Sequence, residues 1–92
     1  MTILLKSPIV EKNPLSYDAN GMINLYFISI SYPLEIKKNN AVVFSKTFSA
    51  STHLKNLNKP NADRENYDST IDSLNHRIFN SMIRIIKKLD EN

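Results

Sequence analysis

DRENYDSTIDSLNHRIFNSMIRIIKKL, residues 63–89, decides the fold. Its apolar residues fall at Tyr67, Ile71, Leu74, Ile78, Met82, Ile85 and Leu89, in steps of three and four. That recurrence marks one face of an amphipathic helix. Asp63 stands where an N-cap is expected, with Glu65 and Asp68 close behind it. Arg84, Lys87 and Lys88 lie in the last turns. Acidic start and basic end both suit the helix dipole. A stripe this continuous needs a sheet to cover.

Two runs with strand character precede the helix, Gly21–Lys37 and Ala41–His53. In the first, Ile28, Ile30, Tyr32, Leu34 and Ile36 alternate with Ser29, Ser31, Pro33, Glu35 and Lys37, the period of a half-buried strand. Leu25 and Phe27 carry the opposite parity, which predicts a bulge near Tyr26–Phe27 or burial on both faces at that end. In the second, Val42, Phe44, Phe48 and Ala50 share one parity, interrupted by Lys46. A register slip of one residue inverts a face, so the apolar sets of the two strands must agree. A two-residue loop at Asn39-Asn40 pairs Ile36 with Val43 and mismatches them. A three-residue loop, Lys38-Asn39-Asn40, pairs Ile36 with Val42, Leu34 with Phe44 and Ile30 with Phe48, and sets Lys46 beside Tyr32. The sequence therefore predicts the longer loop.

Upstream, Thr2–Val10 reads as a short strand in which Pro8 marks an edge or an end. Glu11–Ser16, containing Asn13-Pro14, reads as a turn or irregular edge. Tyr17–Gly21 reads as a second turn, where Asn20-Gly21 suits positive φ. Leu54–Ala62 reads as a polar loop into the helix.

Ninety-two residues make one domain with a thin stability margin. An apolar fraction of 41% and a charged fraction of 23% describe a folded chain. The absence of cysteine excludes disulfides, thiolate metal sites, a cysteine nucleophile and a lipidated cysteine within these residues. No apolar run approaches the ~18 residues of a membrane span, and Met1–Val10 lacks the form of a signal peptide. If the protein is exported, its targeting segment is expected to lie outside this sequence.

Chemistry-bearing patterns are sparse. His53 and His76 have no second ligand at metal spacing, so no metal and no cofactor is expected. Glu65, Asp68 and Asp72 read as a solvated helix face. No serine lies in a nucleophile elbow, and a single glycine cannot build a phosphate-binding loop. An enzyme is not expected. The net charge of +3 is spread rather than striped, and Phe44 and Phe48 share parity with core residues, so nucleic acid is not an expected partner. Two loose basic groups remain, Lys37 and Lys38 at the hairpin tip and Lys55, Lys59 and Arg64 before the helix. They read as solubilising charge or as contacts for an anionic ligand.

A helix ~10 Å across covers about two strands spaced ~4.8 Å apart. Leu25 and Phe27, with Phe79, Ile83 and Ile86 flanking the helical stripe, leave apolar surface in surplus. The expected fold is α+β, an antiparallel sheet of about three strands with a long C-terminal helix on one face. It is a partial α/β sandwich that wants another element or a second chain.

The succession SPIVEKNPLSYDANG, INLYFISISYPLEI, a lysine/asparagine hairpin, VVFSKTFSAS and then the helix resembles the C-terminal two-thirds of the LptE family of lipopolysaccharide-assembly lipoproteins. The resemblance runs from about Ile3 to Leu89 and is topological more than motif-based. It implies a non-enzymatic plug and assembly partner of an outer-membrane β-barrel, at the periplasmic face of that membrane, contacting lipopolysaccharide. It makes Lys55, Lys59 and Arg64, then Lys37 and Lys38, the candidates for lipopolysaccharide phosphates. The family's signal peptide, lipidated cysteine and N-terminal strand and helix have no counterpart in residues 1–92, which implies a single domain lacking that strand and helix. Two other readings stand beside this one. One is an auxiliary lipoprotein of an ABC-type lipid transporter. The other is a small cytoplasmic chaperone or adaptor that forms a homodimer in isolation.

Overall fold

A computed structural model describes residues 1–91. Four strands, β1 (Thr2–Leu5), β2 (Ile9–Tyr17), β3 (Ile23–Lys38) and β4 (Ala41–Lys55), precede one helix, α1 (Pro60–Asp90). The sheet is open and antiparallel, and its long central strand β3 pairs with all three others. β1 pairs with residues 34–37 of β3, and β2 with residues 23–31. β4 pairs along almost the whole of β3. A strand has only two edges, so β1 and β2 lie end to end on one of them. The four strands form three rows, and the expected α+β sheet with a covering helix is the observed architecture.

Pro8 breaks the first row. It has no N–H to continue a ladder, and Lys6 N–H, 3.0 Å from Pro33 O, is the last bond before the gap. The break also shifts the phase by one residue. Ile3 lies opposite Ile36, Leu5 opposite Leu34 and Val10 opposite Ile30, so odd residues of β1 share a face with even residues of β2. The turn expected at Glu11–Ser16 is instead strand. β2 runs through Asn13-Pro14, and its irregularity is confined to register slips between Pro14 and Tyr17. An edge strand tolerates proline because one side of its backbone has no neighbour to bond. The Tyr17–Gly21 turn forms as expected. Asp18 Oδ1 accepts the N–H groups of Asn20 (2.8 Å) and Met22 (3.0 Å), and Gly21 has φ of 80°.

The hairpin departs from the expected register. It closes with the two-residue loop Asn39-Asn40, both at positive φ, and Lys38 pairs with Ala41. A type I′ turn requires positive φ at both positions, which asparagine tolerates. The ladder then slips once. Lys37 faces Val42, but Ile36 faces Phe44, leaving Val43 as the extra residue of a bulge. Ile30 consequently faces Ala50, Tyr32 faces Phe48 and Lys46 faces Leu34. The parity argument holds for Phe44, Phe48 and Ala50, but the loop length and the pairs do not. Val42, expected in the core, is carried to the other face and is 53% exposed. No bulge occurs in β3 near Tyr26–Phe27 against β4. Leu25 and Phe27 are half-buried on the face away from the helix, with the Phe27 ring 6.2 Å from that of His53.

The helix begins at Pro60, three residues before the expected cap. Pro60 takes a first-turn position where its missing N–H costs nothing. Asp63 instead reaches backwards. Its Oδ1 accepts Leu57 N–H (2.8 Å) and its Oδ2 accepts Lys59 N–H (3.1 Å). The expected loop shrinks to residues 56–59, anchored by Asn56 on the Ile23 and Asn24 carbonyls.

The core joins Ile28, Ile30, Tyr32, Leu34 and Ile36 of β3, Phe48 and Ala50 of β4, and Leu74, Ile78 and Met82 of α1. Tyr67, Ile71, Ile85 and Leu89 extend it at half-burial, so every residue of the expected helical stripe packs inward. Tyr32 Oη donates to Asn75 Oδ1 at 2.8 Å, a polar contact between sheet and helix within the core. The molecule is elongated, 58 × 17 × 16 Å, with a radius of gyration of 17.3 Å. A compact domain of this length has about 12 Å. It exposes 6514 Å², where a compact monomer of its mass exposes about 5,500 Å².

Candidate functional site

The covering helix lies over β3 and β4 and leaves the β1/β2 row bare. Three rows outspan one helix, and the phase shift at Pro8 sets Ile3, Leu5 and Val10 all on the helix side of the sheet, in the row the helix leaves uncovered. Across from them the helix flank presents Phe79 and Ile83. These five side chains are 38–48% exposed. The Phe79 ring meets the Tyr32 ring at 5.1 Å, which sets Phe79 above the β1–β2 junction. Lysines mark the two ends. Lys12 Nζ lies 4.4 Å from the Tyr26 ring centroid and 5.1 Å from that of Tyr67, a doubled cation–π contact. Lys38 Nζ donates to Leu89 O at 2.8 Å. The result is an apolar trough with a β floor, a helical wall and basic ends, one strand row wide.

The opposite face of the sheet differs in character. Ser29 and Ser31 of β3 face Ser51 and Ser49 of β4, and Thr47 and Ser45 continue the row opposite Pro33 and Glu35, a field of hydroxyls bordered on the β2 side by Glu11 and the exposed Ile9. Leu25 and Phe27 flank it at one end and Leu4 and Val42 at the other.

The two basic groups lie at opposite ends of the molecule. Lys38 and Leu25, the partner of Lys55, lie thirteen residues apart along β3. That is about 43 Å at ~3.3 Å per residue. Lys37 and Lys38 thus occupy one end of the molecule, and Lys55, Lys59 and Arg64 the other. Lys37 pairs with Glu35 at 3.6 Å, and Lys38 donates to the Leu89 carbonyl in the last turn of the helix. Lys55, Lys59 and Arg64 are exposed near the helix start. Lys46, expected along Tyr32, lies opposite Leu34 with its Nζ 5.1 Å from the Phe48 ring centroid.

Phe79, Ile83 and Ile86 were readable as surplus apolar surface, but the floor at Ile3, Leu5 and Val10 was not, because it depends on the phase change at Pro8. A second feature gave no sequence signal at all. Arg77, Ser81 and Arg84 line hollows along the seam between α1 and β4, with Lys46 and Phe48 beneath. Among the described residues, His, Asp and Glu form no group of three that could hold a metal ion. Among them, too, no helix is long and apolar enough to cross a membrane.

No protein-family model matches the chain. No curated protein matches it either.

Proposed function

We propose that this chain is a non-catalytic assembly partner in outer-membrane lipopolysaccharide transport, seated as a plug in a β-barrel translocon. The observation that carries this reading is the two-sidedness of the sheet. One face is a field of hydroxyls, and the other bears an apolar trough that a single helix leaves open. A large barrel has a polar lumen, which suits the first face. An apolar strip wants a further layer from a partner, which suits the second. A cross-section of 17 × 16 Å is slim enough for a wide lumen, and a length of 58 Å exceeds the ~30 Å hydrocarbon core. Lys55, Lys59 and Arg64 at one end remain the proposed contacts for lipopolysaccharide phosphates.

The test is photo-crosslinking in Gram-negative cells that make the protein, from an unnatural aromatic at Val10 or Ile83. The expected product is a one-to-one adduct with an outer-membrane β-barrel protein identified by mass. Adducts formed only with itself or with cytoplasmic proteins would refute the reading.

One observation favours a second reading, a small dimeric chaperone or adaptor. The chain exposes about 1,000 Å² more than a compact monomer of its mass, close to one partner's share of a stable interface. Sedimentation equilibrium of the free chain separates the two, since this reading requires a tight dimer.

A further inference from the structure

The two edges of the sheet are built differently. The β1/β2 edge carries Pro8 and Pro14, a break and two register slips. Prolines, breaks and irregularities stop an edge from pairing with another chain. The β4 edge runs fifteen residues from Ala41 to Lys55 without a proline, and its one slip lies at the hairpin end. In an antiparallel ladder alternate residues point their N–H and C=O groups outward. Those of β4 meet no further strand among the described residues. An edge of that length left bare is a template for strand addition.

The seam above this edge is basic. A hollow of about 530 Å³ is lined by Lys46, Arg84, Lys87 and Lys88, with Phe48 and Ile85 apolar within it and Glu91 its only carboxylate. Arg77 lines two smaller hollows further along, beside Ser49 and Ala50 and beside Thr52 and His53. Among the described residues neither Arg77 nor Arg84 makes an ion pair. They stand seven residues apart on the helix, about 10 Å along its axis. Helix-side side chains of an added strand recur every ~6.7 Å, so two successive ones fall within that stretch.

We propose that the outer edge of β4 receives an extended acidic segment of a partner protein, which adds a strand to the sheet and sets carboxylates against Lys46, Arg77 and Arg84. Charge selects this occupant. A second copy pairing β4 with β4 about a two-fold normal to the sheet would put both helices on one face and turn these cations toward their own images. Phosphate-bearing lipids would answer the cations but leave the row of backbone groups unbonded. An acidic strand answers both. This inference is independent of the transport reading, because it concerns the edge opposite the trough.

The test uses the full chain and two synthetic nine-residue peptides, ETEVETEVE and KTKVKTKVK, followed by fluorescence anisotropy and by hydrogen exchange with mass spectrometry. The acidic peptide is expected to bind at least about tenfold more tightly than the basic one. It should slow exchange in 41–55 while leaving 2–17 unchanged. The double variant Arg77→Glu/Arg84→Glu changes two exposed helix positions and should invert the preference. Exchange in the unaltered chain reads the same contact without any variant. Equal binding of both peptides, protection at β1/β2, or no protection at about 1 mM acidic peptide would overturn the proposal. So would binding confined to phosphatidylglycerol vesicles or inorganic phosphate, or self-association that protects 41–55 without peptide.

Discussion

Deleting Val43, three residues past the hairpin turn, should leave the protein folded and about as stable as before. Removal of one residue from a strand ordinarily inverts every side chain beyond it. Here the residue is the surplus one of a bulge. Lys37 already faces Val42 and Ile36 already faces Phe44, so without Val43 these two pairs become consecutive rungs of an unbroken ladder. The Asn39-Asn40 turn is untouched, and Val43 is itself exposed. The expected change is within about 1 kcal/mol of zero, the range for surface substitutions with no buried consequence. Deleting Ser49 is the control. The segment between the turn and the gap must then shift by one, turning Phe44 and Phe48 away from the helix and Ser45 and Thr47 toward it. Losing the burial of Phe48 costs about 2–3 kcal/mol and the half-burial of Phe44 about 1 kcal/mol. An inward hydroxyl without a partner adds about 1 kcal/mol or more. The sum, about 4–5 kcal/mol, is a large share of the stability of so small a domain. Urea unfolding followed by circular dichroism measures both variants. Val43 deletion should keep the midpoint close to that of the parent, and Ser49 deletion should lower it severely. Equal damage from the two deletions would refute the bulge as the device that sets the face.

Three further outcomes follow from single side chains. Leu74→Ala empties a site only 1% exposed at the centre of the helix–sheet contact and should cost about 2–5 kcal/mol in urea unfolding. Asp63→Ala leaves the N–H groups of Leu57 and Lys59 without their acceptor and should cost about 1 kcal/mol, with faster amide exchange at residues 57–63. Gly21→Ala meets no atom within 4 Å, so its penalty is the positive φ alone, about 1–2 kcal/mol by thermal melting.

The helix was legible because its stripe is long enough for only one period to fit, and Leu74, Ile78 and Met82 are its buried centre. The faces of β3 and β4 were legible for the same reason. Their pairing was not, because parity constrains register only to even steps and a bulge trades against loop length without a trace in the residue pattern. β2 was missed at Asn13-Pro14, where turn-forming residues sit in an edge strand that needs few of its backbone bonds. Of the candidate site, Phe79 and Ile83 were visible as excess on the helix. Ile3, Leu5 and Val10 join them only through the phase change at Pro8, and the cations of the β4 seam only through pairing distant in sequence. Lys38 shows how a charge that reads as a ligand contact can belong to the fold, since it closes the helix end.

The trough over β1 and β2 should be covered where the protein works. The chain has no native cysteine, so single cysteines report directly on exposure. Val10→Cys and Phe79→Cys should react quickly with a maleimide in the purified chain and slowly in intact cells that make it. Asn80→Cys, on the exposed outer side of the helix, should react in both. Rapid labelling of all three in cells would contradict the account, because the trough would then face water in the protein at work.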